Sequence, residues 1–508
     1  MTYLPTTSET GSAEIPSFDI GPVAERPVSS REVFEHYFDL RQQAGLVQKP
    51  AGDELQHIQD RVAEWVEGQG FFAERPDYSV YDKDIVVKKL AGLTDFLRTN
   101  FADKISEVEL AATDAFVESS FALYEDRSGT GEVSADADGS FAFVVPARVS
   151  RKNSEYGEEV EPVIPALRYV PNALRADMMV NLPPFIIDVY ERDEQGKRGY
   201  LVFAPVSGDM VDDLDTAPLL KTARKNINDT VDFAQERLGV NIVGLGATLP
   251  AMTRFGKSVT NPNVLVTTGH GGTARLITET LERVYERGII QDSEKRRIGI
   301  IGLGSIGASI AELVAAENPD AIVNIYDSEE AKIQRTAATL AGNGFEAVQM
   351  GDEASLIAES DVIISAITSR LNLDKLGVKT MENKMVIDDS QPGSFDPLQV
   401  TNLGGNMTWV IGEDTKGVVV RNDYDYGTLY DPKSDLFGCE AEAGVLSAYS
   451  RDLDERGMPP AARQRILEKV AVRAAVTPDK ARLIGALFIK YGIQPAKFQV
   501  FGKLSLPE

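Results

Sequence analysis

A chain of 508 residues with 43% hydrophobic and 26% charged residues has a globular balance and enough length for several domains around a large core. Its net charge of −26 argues against general nucleic-acid binding, and no apolar run approaches the ~20 residues that span a bilayer. One cysteine excludes an internal disulfide framework, and three histidines (His36, His57 and His270) leave little material for a His/Cys metal site. The amino terminus is polar and acidic, unlike a secretory signal, so the expected compartment is the reducing cytoplasm.

Residues 1–28 are rich in Thr, Ser, Glu and Pro and read as a disordered tail. Residues 29–180 read as a helical extension. Val33, Phe34, Tyr37 and Leu40 recur at helical spacing, as do Leu55, Ile58, Val62 and Trp65, and then the run 86–97. His36 and His57 fall on separate helices and read as surface or packing residues. The stretch 125–161 is rich in Gly, Ser, Asp and Glu around a short strand-like run, 141–145, and reads as an irregular connection or a small β-excursion.

Residues 181–290 read as an α/β substrate or catalytic domain. Segments 185–190 and 199–205 flank a turn at 193–197, which is a hairpin signal. A strong helix at 219–238 carries Lys221, Arg224 and Lys225, which face either a phosphate or solvent. Strands at 241–246 and 264–269 and a helix at 273–287 complete the unit.

Residues 291–425 read as a Rossmann dinucleotide-binding domain. A short apolar strand breaks on Gly302-Leu303-Gly304-Ser305-Ile306-Gly307, an Ala/Ile/Leu/Val helix follows, and a second strand ends on Asp327. Gly302 makes the tight turn, Gly304 lets a pyrophosphate approach, and Gly307 lets helix pack on strand. Ser305 and Ile306 open the helix, whose free N–H groups and positive dipole end face the pyrophosphate. Asp327, twenty residues past Gly307, is placed to accept hydrogen bonds from an adenosine ribose. Later apolar runs at 361–366, 384–388 and 408–411 alternate with helical segments, which predicts a mostly parallel, doubly wound sheet. By the strand-end rule, Ala366, Ile367 and Thr368 border the nicotinamide half, and Asp388 and Asp389 either order that loop or cap a strand. Residues 426–508 read as carboxy-terminal helices that carry Cys439 and pack back on the substrate domain. The fold class is therefore α/β: a doubly wound Rossmann domain, a second α/β domain and an amino-terminal helical region.

Cys439 lies in Leu436-Phe437-Gly438-Cys439-Glu440-Ala441-Glu442-Ala443-Gly444, near the start of an Ala-rich helix. A lone cysteine can be a small buried hydrophobe. Downstream of a nicotinamide domain it can also be a nucleophile, favoured by the helix dipole and opposed by Glu440 and Glu442. In that role the thiolate attacks an acyl thioester, and hydride delivery to the enzyme-bound thioester releases an aldehyde. His270, in the glycine-rich loop before a helix, either donates a proton to a substrate carbonyl oxygen or caps the helix.

In this order, the motifs resemble the long-chain acyl-[acyl-carrier-protein] reductases of cyanobacteria, over roughly residues 184–500. They are the hairpin around Gly196-Lys197, Lys221-Thr222-Ala223-Arg224-Lys225, the Leu245-Gly246 strand end, Thr267-Thr268-Gly269, the Rossmann turn, Val386-Ile387-Asp388, Gly417-Val418-Val419, Phe437-Gly438-Cys439-Glu440-Ala441-Glu442-Ala443 and Tyr491-Gly492-Ile493-Gln494-Pro495. The resemblance implies that Cys439 is acylated by an acyl-carrier protein or acyl-CoA and then discharged by a reduced nicotinamide. Three features depart from the family. Tyr326-Asp327-Ser328 replaces an arginine-bearing segment suited to NADPH, and its acid should repel a 2′-phosphate, so NADH is favoured over NADPH. His270-Gly271-Gly272 replaces more polar residues. The first ~180 residues have no recognisable counterpart, and would shape an acyl pocket, meet a carrier protein or form a homo-oligomer interface. The rival readings are an NAD-dependent dehydrogenase of a small hydroxy or amino acid, with Cys439 merely packed, and a non-catalytic dinucleotide sensor.

Overall fold

The computed structural model describes residues 30–68, 87–125, 139–147, 163–180, 182–191, 196–207, 217–290, 295–367, 369–390, 393–421, 428–473 and 476–506. The predicted tail 1–28, most of the turn 193–197 and Thr368 lie outside them.

Helices α1 (Ser30–Gly45), α2 (Asp53–Gly68), α3 (Gly92–Phe101) and α4 (Glu107–Glu125) make the amino-terminal layer, the first three where apolar spacing predicted helix. They bury Tyr37, Ile58, Val62, Leu93, Leu97 and Phe116. Two long-range hydrogen bonds tie this layer to the sheet domain. Tyr37 donates its hydroxyl hydrogen to the Val163 carbonyl at 2.9 Å, and Arg41 donates to the Ile187 carbonyl at 2.9 Å.

Next comes a five-stranded sheet of order β2-β3-β1-β4-β5, with β1 at Gly139–Ala147, β2 at Phe185–Val189, β3 at Arg198–Ser207, β4 at Ile242–Leu245 and β5 at Leu265–Thr267. Only β2 runs antiparallel, paired to β3 as the expected hairpin. The structure corrects one boundary. Residues 139–147 are neither an irregular connection nor a small excursion but the central strand, parallel to both β3 and β4, so the sheet domain begins well before residue 181. The Gly/Ser/Asp/Glu-rich flanks hid the extent of a strand that is apolar from Phe141 to Ala147, as buried parallel strands are. Helix α5 (Asn172–Met179) lies between β1 and β2 in the chain, and α6 (Ala217–Leu238) packs on β3.

After α7 (Leu249–Met252) and α8 (His270–Glu286) the chain enters the second sheet. Its order is β11-β10-β9-β6-β7-β8, all parallel. The strands are β6 (Arg297–Ile301), β7 (Ile322–Tyr326), β8 (Ala347–Gln349), β9 (Val362–Ser365), β10 (Met385–Asp388) and β11 (Asn406–Trp409). Helices α9 (Ser305–Glu317), α10 (Glu330–Gly342), α11 (Glu353–Glu359) and α12 (Pro397–Asn402) make the crossovers. This is the expected doubly wound sheet, with its order reversing between β6 and β9.

The tail forms α13 (Gly438–Glu455), α14 (Pro460–Val470) and α15 (Pro478–Tyr491). Helix α13 packs back on α8, β4 and β1, as expected for the segment that carries Cys439. A Cβ on Gly244 of β4 would stand 2.7 Å from that of Ala443, so helix and strand approach at glycine distance. Among the described residues, no helix is long and apolar enough to cross a membrane.

Candidate functional site

The cradle begins at the end of β6. Gly302 takes φ +89°, where an L side chain is strained, and its N–H donates to the Tyr326 carbonyl at 2.9 Å. A Cβ there would lie 2.5 Å from Ile367 Cγ2 and 2.6 Å from the Ala366 carbonyl oxygen, so the end of β9 packs directly on the turn. A Cβ on Gly307 would stand 1.7 Å from the Gly302 oxygen, which is why a helix this close to its strand needs glycine. At Gly304 a Cβ would meet open space, and the residue is exposed. Ser305 and Ile306 are half-buried at the opening of α9. The turn thus leaves room at the helix amino terminus for a pyrophosphate.

Asp327 is buried at the end of β7 and does more than the sequence indicated. Its Oδ2 accepts the Leu303 N–H at 2.7 Å, pinning the turn, and its Oδ1 accepts the Glu329 N–H at 2.9 Å. Lys332 reaches the same carboxylate at 3.6 Å.

Three helices aim their amino termini at one place. Ser305 Oγ lies 3.1 Å from His270 Nδ1, joining the start of α9 to the start of α8. A Cβ on Gly269, which takes φ +71°, would lie 2.2 Å from Cys439 Cβ, and one on Gly272 would come within 2.1 Å of the Gly438 oxygen, so α8 and α13 start against one another. The glycine-rich loop that set this chain apart in sequence is what permits that approach. Gly269 also caps α8, which therefore starts at His270 rather than at 273.

Cys439 is half-buried in the first turn of α13. Burial pushes its thiol up to about 12, reinforced by the charges of Glu440 and Asp389; the main-chain N–H groups of Glu440 and Cys439 act in the opposite sense. Glu440 does not face an open site. It accepts the Tyr190 hydroxyl at 2.6 Å and both its oxygens take Arg421 Nη1 at 3.0 Å, in a buried brace. Glu442, further along the same helix, accepts from the Thr267 hydroxyl and from the Gly272 N–H at 2.8 Å. Burial raises its pKa.

At the end of β10 the two acids differ. Asp388 is spent on the loop, accepting from Ser390 N at 2.9 Å, Ser394 N at 2.7 Å, Ser394 Oγ at 3.1 Å and Phe395 N at 3.3 Å. Asp389 is half-buried, and burial together with Asp388 lifts its carboxyl well above the usual range.

The residues expected at the site from sequence thus fall into two groups. Gly302, Gly304, Ser305, Ile306, Gly307, Asp327, Ala366 and Ile367 form one cradle. Cys439 packs on Gly269, the residue before His270, and His270 is turned to Ser305 of the cradle; among the described residues Cys439 is not one of its hydrogen-bond partners. Of the three basic residues of α6, Lys221 is exposed, Arg224 donates to the Met252 carbonyl at 2.8 Å and Lys225 pairs with Asp229 at 2.7 Å. Sequence reasoning missed the Tyr190–Glu440–Arg421 brace. The only signal was two acids in an Ala-rich helix, on positions that burial allows only when paired. Among the described residues, no cluster of three His, Cys, Asp or Glu side chains is placed to hold a metal ion.

Comparison with known proteins adds a family match over part of the chain. The family profile described as Shikimate / quinate 5-dehydrogenase matches residues 285–406, which hold the cradle. With that geometry, the match supports a nicotinamide-dependent oxidoreductase of the Rossmann type. No curated protein matches the chain. Among solved structures, L-tryptophan dehydrogenase from Nostoc punctiforme is 11% identical, covering 71% of this chain and 91% of its own, with a TM-score of 0.29. Quinate dehydrogenase from Corynebacterium glutamicum in complex with NAD is 15% identical, covering 53% and 87%, at 0.27. A reductive aminase from Aspergillus terreus in complex with NADPH is 14% identical, covering 23% and 40%, at 0.18, so this chain spans less than half the length of that protein. At these scores the structural likenesses carry no functional argument.

Proposed function

We propose that this chain is a nicotinamide-dependent reductase of acyl thioesters, taking an acyl-carrier protein or acyl-CoA as donor and releasing an aldehyde. The observation that carries this is the position of Cys439: half-buried on a helix amino terminus, against Gly269, whose neighbour His270 meets Ser305 of the cradle. Cys439 Sγ would attack the thioester carbonyl carbon as the carbon–sulfur bond to the carrier breaks and the carrier thiol leaves with a proton. The converging helix amino termini favour the negative charge that develops on the carbonyl oxygen. A reduced nicotinamide, when bound, supplies the hydride that frees the acyl group as an aldehyde; the carbon–sulfur bond breaks and Cys439 leaves as a thiolate, which takes a proton from water to return to its thiol. Because the resting thiol is held neutral, acylation should accelerate as pH rises toward its titration.

NADH is the favoured donor, because the Asp327 carboxylate at the end of β7 opposes a 2′-phosphate. Comparing kcat/KM for NADH and NADPH tests this, and a preference for NADPH rejects it.

The family match at 285–406 favours a second reading, a dehydrogenase of a small hydroxy or amino acid in which Cys439 only packs. Intact-mass spectrometry separates the two. Wild type and Cys439→Ala are incubated with a panel of acyl-CoA and acyl-carrier thioesters without nicotinamide. A mass gain equal to the acyl group, absent in the variant and discharged by NADH, supports the reductase. No adduct from any donor, beside clear NADH binding, turns the assignment to the dehydrogenase.

A further inference from the structure

His270 entered the site as a candidate proton donor to substrate. Its surroundings are those of a different role. The ring is 7% exposed, packs edge-on against Phe255 at 5.7 Å, and meets Ser305 Oγ through Nδ1 at 3.1 Å. Burial pushes its pKa down to about 4, so the ring is neutral at ordinary pH, with one nitrogen donating and one accepting. If Nδ1 accepts, it consumes the only hydrogen of the Ser305 hydroxyl. If Nδ1–H donates, Ser305 Oγ accepts and its hydrogen is left to point out of the first turn of α9, beside the open space at Gly304. An anion over that helix terminus selects the second tautomer, because it needs donors.

We propose that His270 is a positioning residue of the dinucleotide site, reaching from the substrate-side helix α8 to hold the Ser305 hydroxyl as a donor to the pyrophosphate. The proposal rests on the reading of the cradle as a dinucleotide site. It makes the pyrophosphate site a product of both domains, since His270 belongs to the segment that packs against Cys439 and Ser305 to the Rossmann turn.

The test is calorimetric binding of NADH, ADP-ribose and adenosine to the full chain and to His270→Ala, Ser305→Ala, the double variant and His270→Asn. Each single alanine should weaken NADH and ADP-ribose by about three- to tenfold, the worth of one hydrogen bond. The double variant should be no weaker than either single one, and adenosine, which lacks the pyrophosphate, should be unaffected. His270→Asn, whose amide nitrogen takes the place of Nδ1, should restore most of the loss, which a merely structural role would not predict. Equal binding by wild type and His270→Ala, additive losses, or an equal loss with adenosine would overturn the proposal. If the wild type itself binds neither NADH nor ADP-ribose, it is the dinucleotide reading that fails.

Discussion

Cys439 sits between opposing influences. Burial, Glu440 and Asp389 hold its proton on, while two main-chain N–H groups favour the thiolate. Glu440 is locked to Tyr190 and Arg421, so Asp389 is the carboxylate that substitution can neutralise without dismantling the helix start. Asp389→Asn should lower the thiol pKa. Each unit of that fall raises the thiolate fraction about tenfold. Iodoacetamide labelling followed by mass spectrometry should therefore run faster in the variant than in wild type. The size of the effect depends on pH: the gap should open as pH rises through the Asp389 titration, and vanish below it, where the wild-type acid is already neutral. Equal or slower labelling of the variant at high pH would remove Asp389 from the environment of Cys439. At this scale the sequence was informative wherever local chemistry fixes the role. The glycines of the turn and the acid that ends β7 announce their places through neighbours within a few residues. The pairing of Glu440 with Tyr190, 250 positions away, does not, because only the folded chain brings the two together.

Elements divide in the same way through their packing. The period of apolar residues was enough to find α1 to α3, the β2–β3 hairpin and the alternation of the Rossmann sheet. It was not enough for β1, whose burial on both faces removes the alternation that marks a strand. Nor did it show that α8 and α13 meet at their first turns. That contact depends on absent side chains, since a Cβ on Gly438 would lie 2.7 Å from Thr273 Cα and N, and one on Gly272 2.1 Å from the Gly438 oxygen. Gly272→Ala should push the two starts apart at a cost of about 1–3 kcal/mol. Both the thermal midpoint and the rate of Cys439 acylation should fall. Gly342→Ala, at the exposed end of α10 with nothing within 4 Å of its new Cβ, provides the contrast. It should leave acylation intact and stabilise by about 0.5–1 kcal/mol. If Gly272→Ala melts no lower than Gly342→Ala, then α8 and α13 do not approach as closely as the geometry requires.

Across the whole molecule the two sheets are held by a segment far from either in sequence. Arg283 of α8 donates to the carbonyls of Pro495 and Ala496, both at 2.7 Å, and the Thr408 hydroxyl of β11 takes the Gln499 N–H at 3.1 Å. Gln499 also donates to Asp435 at 2.7 Å, just ahead of the Cys439 helix. Residues 495–499 therefore fasten the substrate-side helix, the edge of the Rossmann sheet and the approach to Cys439 at once. Salt bridges from Arg275 to Glu317 and from Arg296 to Glu282 cross the same boundary. A chain tied in this way should unfold as one cooperative unit, although its length alone would favour separate domains. The two tryptophans of the sequence are placed to report on this. Trp65 stacks on Phe96 in the amino-terminal layer at 5.2 Å, and Trp409 lies 4.2 Å from Phe501 beside the Rossmann sheet. In Trp65→Phe and Trp409→Phe, the remaining fluorescence should give the same urea midpoint. ADP-ribose at a hundred times its Kd should then raise both by an equal free energy, about 2.7 kcal/mol, because a ligand of one part stabilises every part that unfolds with it. Separate midpoints, or a ligand shift confined to Trp409, would mean that the carboxy-terminal segment does not couple the sheets and that the Cys439 site can open while the cradle stays folded.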